Sequence, residues 1–272
     1  MAPRAHRPRI SEALLLCGLI LSLSCSTVPI TGRQQLNLIP SSTIHAMSFD
    51  QYDQFLQEHR LSRDRQQVRM VERVGRNIQR AVETFFAEKG QEAQLRGYEW
   101  EFHLVEDEAV NAWCMPGGKV VVYTGILPIT RDEAGLAVVM GHEIAHAVAE
   151  HGAERMSQGL LTQLGGMALE KALESKPAET RSLFLAAYGI GSQVGVLLPY
   201  SRLHESEADR LGLIFMALAG YDPHEAPVFW ERMSASKGGA APPEFLSTHP
   251  SDQSRIRQLR ERIPEAMEYY RP

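Results

Sequence analysis

The chain has 272 residues, 44% of them hydrophobic and 22% charged, with a formal net charge of −5. That length gives one large domain or two small ones with room for a sizeable core. The proportions exclude a polytopic membrane protein, a collagen-like chain and a mostly disordered one. The negative balance argues against nucleic acid as a partner, which would require a basic face to displace counterions. No internal repeat of fixed period is evident.

At the N-terminus, Arg4, Arg7 and Arg9 precede an apolar run from Ala13 to Leu23. A positive stretch followed by an apolar run too short to span a bilayer predicts a secretory signal peptide over residues 1–24. The run ends in Ser22-Leu23-Ser24-Cys25, which looks like a bacterial lipobox with Ser22 in the place where Leu is usual. The expectation is acylation at Cys25, and with it a lipid anchor in a membrane. Ser26 follows where an Asp would hold a lipoprotein at the inner membrane, so the expected location is the bacterial periplasm, anchored at the outer membrane. Ordinary cleavage near Ser24, with Cys25 a bystander, is the alternative. The cysteines are Cys17, Cys25 and Cys114. Acylation of Cys25 leaves Cys114 without a disulfide partner. Loss of three Arg and Glu12 with the signal would bring the charge to about −7.

Residues 25–48, with Pro29, Gly32 and Pro40, read as an extended, lipidated tether. A single domain is expected over 49–272. Helical spacing predicts helices over Phe49–Arg60 and Asp64–Lys89, the second with Val68, Val71, Val74, Ile78, Val82 and Phe85 on one face. Tyr98, Trp100, Phe102 and Leu104 alternate with polar residues as in a half-buried strand. Ala109–Met115 and Lys119–Thr124 follow as strands, split by a turn at Pro116-Gly117-Gly118. Asp132–Met156 is a strongly apolar helix with Asp132 and Glu133 at its positive end. Leu183–Leu198 is apolar but short for a membrane span and reads as a buried core helix. Leu203–Ala219, Pro223–Ser236 and Ser251–Arg262 read as helices, with a Gly/Ala/Pro loop over Lys237–Pro250.

Inside the helix over Asp132–Met156, His142-Glu143-Ile144-Ala145-His146 forms an HExxH pattern. Residues four apart lie about 40° around and about 6 Å along a helix, so two imidazoles can bind one metal ion from the same side. Glu143 is placed to hold a water and take its proton. Two surface histidines on an amphipathic helix are the plain alternative. A catalytic zinc needs a third protein ligand and an open position. The candidate lies in His204-Glu205-Ser206-Glu207-Ala208-Asp209, where Glu205 and Asp209 share a helix face. Glu205 as ligand and Asp209 as acceptor from a histidine N–H would complete the site. Their like charges at that spacing favour a shared cation over a merely charged face. Glu207 points elsewhere and reads as solvated.

HEIAH, then Ser201-Arg202, then Glu205-Ser206-Glu207-Ala208-Asp209 resembles the zinc metallopeptidases that include the HtpX heat-shock protease, the CAAX prenyl protease and the mitochondrial Oma-type protease. The periplasmic lipoprotein branch, with BepA and LoiP, is the nearest in pattern. The resemblance extends to Cys25-Ser26-Thr27-Val28-Pro29-Ile30-Thr31-Gly32-Arg33 at the start of the mature chain. It includes Asn111-Ala112 with Gly117-Gly118-Lys119-Val120, and His249-Pro250 with Arg255-Ile256. It implies an α+β, predominantly α-helical, zincin-like (gluzincin) fold with a small antiparallel sheet beside the metal helix. It implies one Zn²⁺ held by His142, His146 and Glu205, Glu143 and Asp209 as catalytic groups, and Asn111 and Ala112 on a substrate-binding edge strand. It implies for His249 either a plug over the metal or a part in catalysis, with Arg255 assisting at the substrate. A helix-entry residue without chemical role is the alternative for His249. The chain ends at Pro272 with no room for the tetratricopeptide repeats of BepA-like members, so docking through such repeats is not expected.

The functional expectation is therefore a zinc metalloendopeptidase acting on polypeptides, chiefly misfolded envelope proteins, that pair main chain to main chain with the edge strand. An envelope-binding or chaperone-like factor, with zinc closed off by His249 as fourth ligand, is the competing expectation. A zinc hydrolase of non-peptide substrates is a weaker one. His151, about 140° around the helix from His146, reads as a non-ligand. His103 and His204 carry no spacing argument, His45, His59 and His224 read as surface residues, and Cys114 as a buried strand residue.

Overall fold

The computed structural model describes residues 25–28, 31–236, 244–250 and 253–272. The signal-peptide reading of residues 1–24 and the first half of the loop read over 237–250 lie outside the described residues; the second half is not all loop, since Glu244–Thr248 form a short helix. β1 (Cys25–Thr27) pairs antiparallel with β2 (Gln34–Leu36), and α1 spans Ser41–Glu58. The segment read as an extended tether over 25–48 thus contains a hairpin and the start of a helix. Polar partners on two later helices hold it in place.

α2 (Arg65–Glu88) is capped by Asp64, whose side chain accepts from the amides of Gln66 and Gln67. It buries Val71, Val74, Ile78, Val82 and Phe85 on the face its spacing predicts. Each such side chain contributes roughly 1.5–3 kcal/mol by leaving water. β3 (Glu101–Val105), β4 (Ala112–Met115) and β5 (Lys119–Tyr123) form a sheet in the order β3-β5-β4. β4 and β5 are antiparallel across the Pro116-Gly117-Gly118 turn, but β3 and β5 are parallel. The small sheet is therefore mixed rather than wholly antiparallel. Side-chain alternation specifies which face of a strand is buried and says nothing of which strand lies beside it. The order leaves β4 at an edge of this sheet.

The remaining elements are α3 (Leu127–Thr130), α4 (Glu133–Val148), α5 (His151–Ala172), α6 (Ala178–Ser192), α7 (Leu198–Leu218), α8 (Glu225–Ala235), α9 (Glu244–Thr248) and α10 (Gln253–Met267), with a π-helical turn over Gln193–Leu197. Asp132 caps α4 by accepting from the Gly135 amide. The helix read as continuous over Asp132–Met156 is two helices. They are separated at Glu150, a non-glycine residue in the left-handed region with φ 55°.

The Leu183–Leu198 stretch is not a buried core helix: Leu183 and Ile190 are each 68% exposed. α5 and α6 pack on each other through Tyr188, whose hydroxyl donates to the Thr162 carbonyl at 2.9 Å. By length and composition alone, Ala178–Leu218 is the described helical stretch apolar enough to cross a membrane.

The core lies between α2, α4, α7, α8 and the sheet. α4 and α7 meet backbone to backbone at a pair of glycines. A Cβ on Gly141 would lie 3.0 Å from the Gly212 carbonyl oxygen, and one on Gly212 would lie 3.0 Å from the His142 amide nitrogen. This close approach brings the face of α7 carrying Glu205 and Asp209 against the face of α4 carrying His142 and His146.

Candidate metal centre

His142 and His146 are one turn apart on α4 and both buried. Their Nε2 atoms lie 3.1 Å apart. Glu205, from α7, places Oε2 3.3 Å from His142 Nε2 and Oε1 3.2 Å from His146 Nε2. A zinc ion about 2.0–2.1 Å from each of three donors at tetrahedral angles would separate them by about 3.3 Å. The observed separations are of that size, with Glu205 turning a different carboxylate oxygen to each imidazole.

The chemistry of the donor set agrees. His142 Nδ1 lies 3.0 Å from Asp209 Oδ1. An N–H donated there leaves the Nε2 lone pair facing the centre of the cluster. His249, just after α9, completes a four-donor group with His142, His146 and Glu205. Its Nδ1 lies 3.1 Å from His142 Nε2 and 3.0 Å from Glu205 Oε2, and its Nε2 lies 3.3 Å from Glu143 Oε1. Among the described residues, Glu143 Oε1 is buried and makes no hydrogen bond. It faces the space that His249 occupies.

The charges are strongly perturbed. Burial disfavours the charged form of His142, yet hydrogen bonds to Asp209 and Glu205 outweigh it and raise its pKa to about 9. Burial pushes His146 well below the usual imidazole range. Burial also opposes ionisation of Glu205, but hydrogen bonds from His142, His146 and His249 hold its carboxyl far below the ordinary range. Glu143 is raised, first by burial. A carboxylate kept ionised beside two imidazoles is a donor set suited to a divalent cation, which would take the place of the protons on their Nε2 atoms.

Arg255 is placed beneath this cluster. Its Nε and Nη2 donate to the two carboxylate oxygens of Asp209 at 2.9 and 2.7 Å, and its Nη1 lies 3.1 Å from Glu205 Oε2. Its guanidinium carbon sits 3.6 Å from the centroid of the Trp230 ring on α8. The side chain, expected at the substrate, is buried against Asp209 and Glu205. The strand read over Ala109–Met115 is shorter: Ala112 opens the edge strand β4, and Asn111 lies just before it, its carbonyl accepting from the Tyr123 amide.

Four side chains given no role from the sequence, or the wrong one, lie behind His146. His151 Nδ1 is 2.9 Å from His146 Nδ1. His151 is not among the four donors, as its angle around the helix implies, but the break at Glu150 starts a new helix at His151 and brings its ring against His146. Glu207 is not solvated but 5% exposed, with Oε2 3.3 Å from His151 Nε2. His204 is buried, stacks on His151 at 4.3 Å between centroids, and lies 2.8 Å from Glu154 Oε2. His45, read as a surface residue, is buried as well. No spacing signal marks His151, His204, Glu154 or Glu207, because their partners come from different helices.

The model of the family described as peptidase family M48 matches residues 72–263. The mitochondrial metalloendopeptidase OMA1 of Schizosaccharomyces pombe is 35% identical over 240 residues, covering 88% of this chain and 66% of that protein. The human mitochondrial metalloendopeptidase OMA1 is 32% identical over 248 residues, covering 88% of this chain and 46% of the relative. The beta-barrel assembly-enhancing protease of Escherichia coli is 29% identical over 168 residues, covering 60% of this chain and 34% of the relative. The chain thus spans about two thirds or less of the length of these curated relatives.

Proposed function

The chain belongs to peptidase family M48, and on that premise we propose that it is a zinc-dependent endopeptidase of the bacterial cell envelope. The observation that carries the reading is the convergence of His142, His146 and Glu205 on one point, with Glu143 adjoining. His142, His146 and Glu205 would hold a zinc ion, which would supply Lewis acidity there. Glu143 takes a proton from the attacking water and returns it to the leaving amine. Its burial raises its proton affinity toward that of a useful base. Asp209 accepts from His142 Nδ1 and so presents Nε2 to the ion. A polypeptide lies extended along β4 beside Asn111 and Ala112, where an edge strand offers unpaired main-chain groups.

The envelope location, the lipid anchor at Cys25 and misfolded envelope proteins as substrates rest on the signal-like residues 1–24 and the lipobox-like residues that follow. Mass spectrometry of the mature N-terminus tests the anchor, since an unmodified Cys25 removes it. For the activity, Glu143→Gln is expected to retain zinc and abolish casein cleavage; retained cleavage removes Glu143 as the base.

A second reading is favoured by one observation. His249 Nδ1 stands at hydrogen-bond distance from His142 and Glu205, in the position of a fourth ligand. The site so arranged is latent, and a protein that bound client polypeptides without cutting them would have such a centre.

A further inference from the structure

A second buried polar cluster lies on the far side of His146 and joins it to the N-terminal hairpin. Arg33 follows Gly32, whose φ of +67° turns the chain where a residue with a Cβ would be strained. The Val28 amide donates to the Arg33 carbonyl at 2.8 Å and closes the turn. The Arg33 guanidinium reaches two acidic side chains from different helices. Its Nε donates to Glu207 Oε2 at 2.9 Å, and its Nη1 and Nη2 donate to Glu154 Oε1 and Oε2 at 2.8 and 2.7 Å. The Thr31 hydroxyl donates to Glu207 Oε1 at 2.6 Å. The same segment secures the break between α4 and α5: Asn37 and Ser41 donate to the Glu150 carboxylate at 2.6 and 2.7 Å. The Leu38 amide donates to Ser157 Oγ at 2.9 Å.

We infer that Arg33 is a positioning residue for the metal ligand His146, acting through Glu207 and His151. The tautomers follow from the acceptors. Glu207 Oε2 faces His151 Nε2, so that nitrogen carries the proton and His151 Nδ1 is left as an acceptor. His151 Nδ1 faces His146 Nδ1 at 2.9 Å, so His146 carries its own proton there and keeps the Nε2 lone pair for the ion. In the reverse arrangement, His146 would present an N–H to the ion and could not ligate.

Glu207 can fix this order only while its carboxylate is held in place. Beside it lies Glu154, a second buried carboxylate, and the guanidinium fork of Arg33 spans both. Without the fork the two like charges turn apart and the contact with His151 loosens. The inference rests on the reading of His146 as a zinc ligand and extends that site to a segment on the far side of α5.

The test measures zinc rather than turnover. Full-length protein is loaded with zinc, and release into excess chelator is timed. The same protein substituted with Co²⁺ gives a visible spectrum that reports ligand geometry. Removal of an outer partner of a ligating histidine costs about 10–100-fold in affinity. One step further out, Arg33→Ala is expected to speed zinc release about tenfold and shift the cobalt bands. Arg33→Lys, which keeps the charge but not the fork, is expected to recover only part of the effect.

Glu207→Gln should have an effect of its own, and adding Arg33→Ala to it should add little, since the two act in one chain. Additive effects, or unchanged release and an unchanged cobalt spectrum in Arg33→Ala, overturn the inference. If Arg33→Ala does not fold, Thr31→Val and Arg33→Lys are read instead. Wild-type release and spectrum in both then overturn it. Failure of the site reading is seen separately: Glu205→Ala that keeps full zinc shows the ion is held elsewhere, whatever Arg33 does.

Discussion

His249 Nε2 lies 3.3 Å from Glu143 Oε1 while its Nδ1 lies 3.1 Å from His142 Nε2. One imidazole thereby separates the proposed base from the place where a water would meet the ion. His249→Ala is expected to raise casein cleavage several-fold at unchanged zinc content. A fall in cleavage would instead assign His249 to the reaction.

Asp209 is bonded on both sides, accepting from Arg255 at 2.7 Å and lying 3.0 Å from His142 Nδ1. Asp209→Asn keeps the shape and removes the charge. It is expected to weaken zinc binding about 10–100-fold by chelator competition. Unchanged affinity would show that His142 needs no such partner.

The contact of Gly141 with Gly212 makes a stability prediction. Gly212→Ala sets a methyl 3.0 Å from the His142 amide and forces two helices apart by a few tenths of an ångström. Overpacking of this kind costs about 1–3 kcal/mol in denaturant unfolding. Gly159→Ala, also within a helix but with open space around it, is expected to stabilise by about 0.5–1 kcal/mol. Equal effects at the two positions would refute the tight crossing.

Burial opposes ionisation of Glu154, but hydrogen bonds from His204 and Arg33 hold its carboxyl down at about 2. In the unfolded chain it titrates near about 4.3. Between these values the unfolded state binds a proton that the folded state does not, so stability rises with pH across that interval. The contribution is complete above about pH 5 and is lost as pH falls toward 2. Metal-free wild type should therefore be more stable than Glu154→Gln at pH 6, with the difference shrinking through this window. A difference independent of pH would show that the carboxylate charge is not what holds the hairpin.

The apolar face of α2 and the pairing of His142 with His146 were legible because helical period fixes which residues share a side. So was the common face of Glu205 and Asp209. That these two faces meet is not a matter of period; it came from the resemblance of the motifs to a family and, in the structure, from Gly141 against Gly212. The break at Glu150 was illegible. No glycine or proline marks it, and its left-handed backbone is held by Asn37 and Ser41 from more than a hundred residues away. Misreading that break hid His151, and with it the burial of Glu207. Leu183–Leu198 was misread for the opposite reason: apolarity on every side of a helix shows what it would exclude water with, not that the protein supplies a partner.

The glycine contact has a mechanical consequence. Two helices touching through their backbones cannot part to admit a substrate, so the cup formed by His142, His146 and Glu205 is rigid. Only the fourth donor belongs to neither helix. His249 enters from the end of a five-residue helix, so substitution at that one position removes the fourth donor without touching the helix pair.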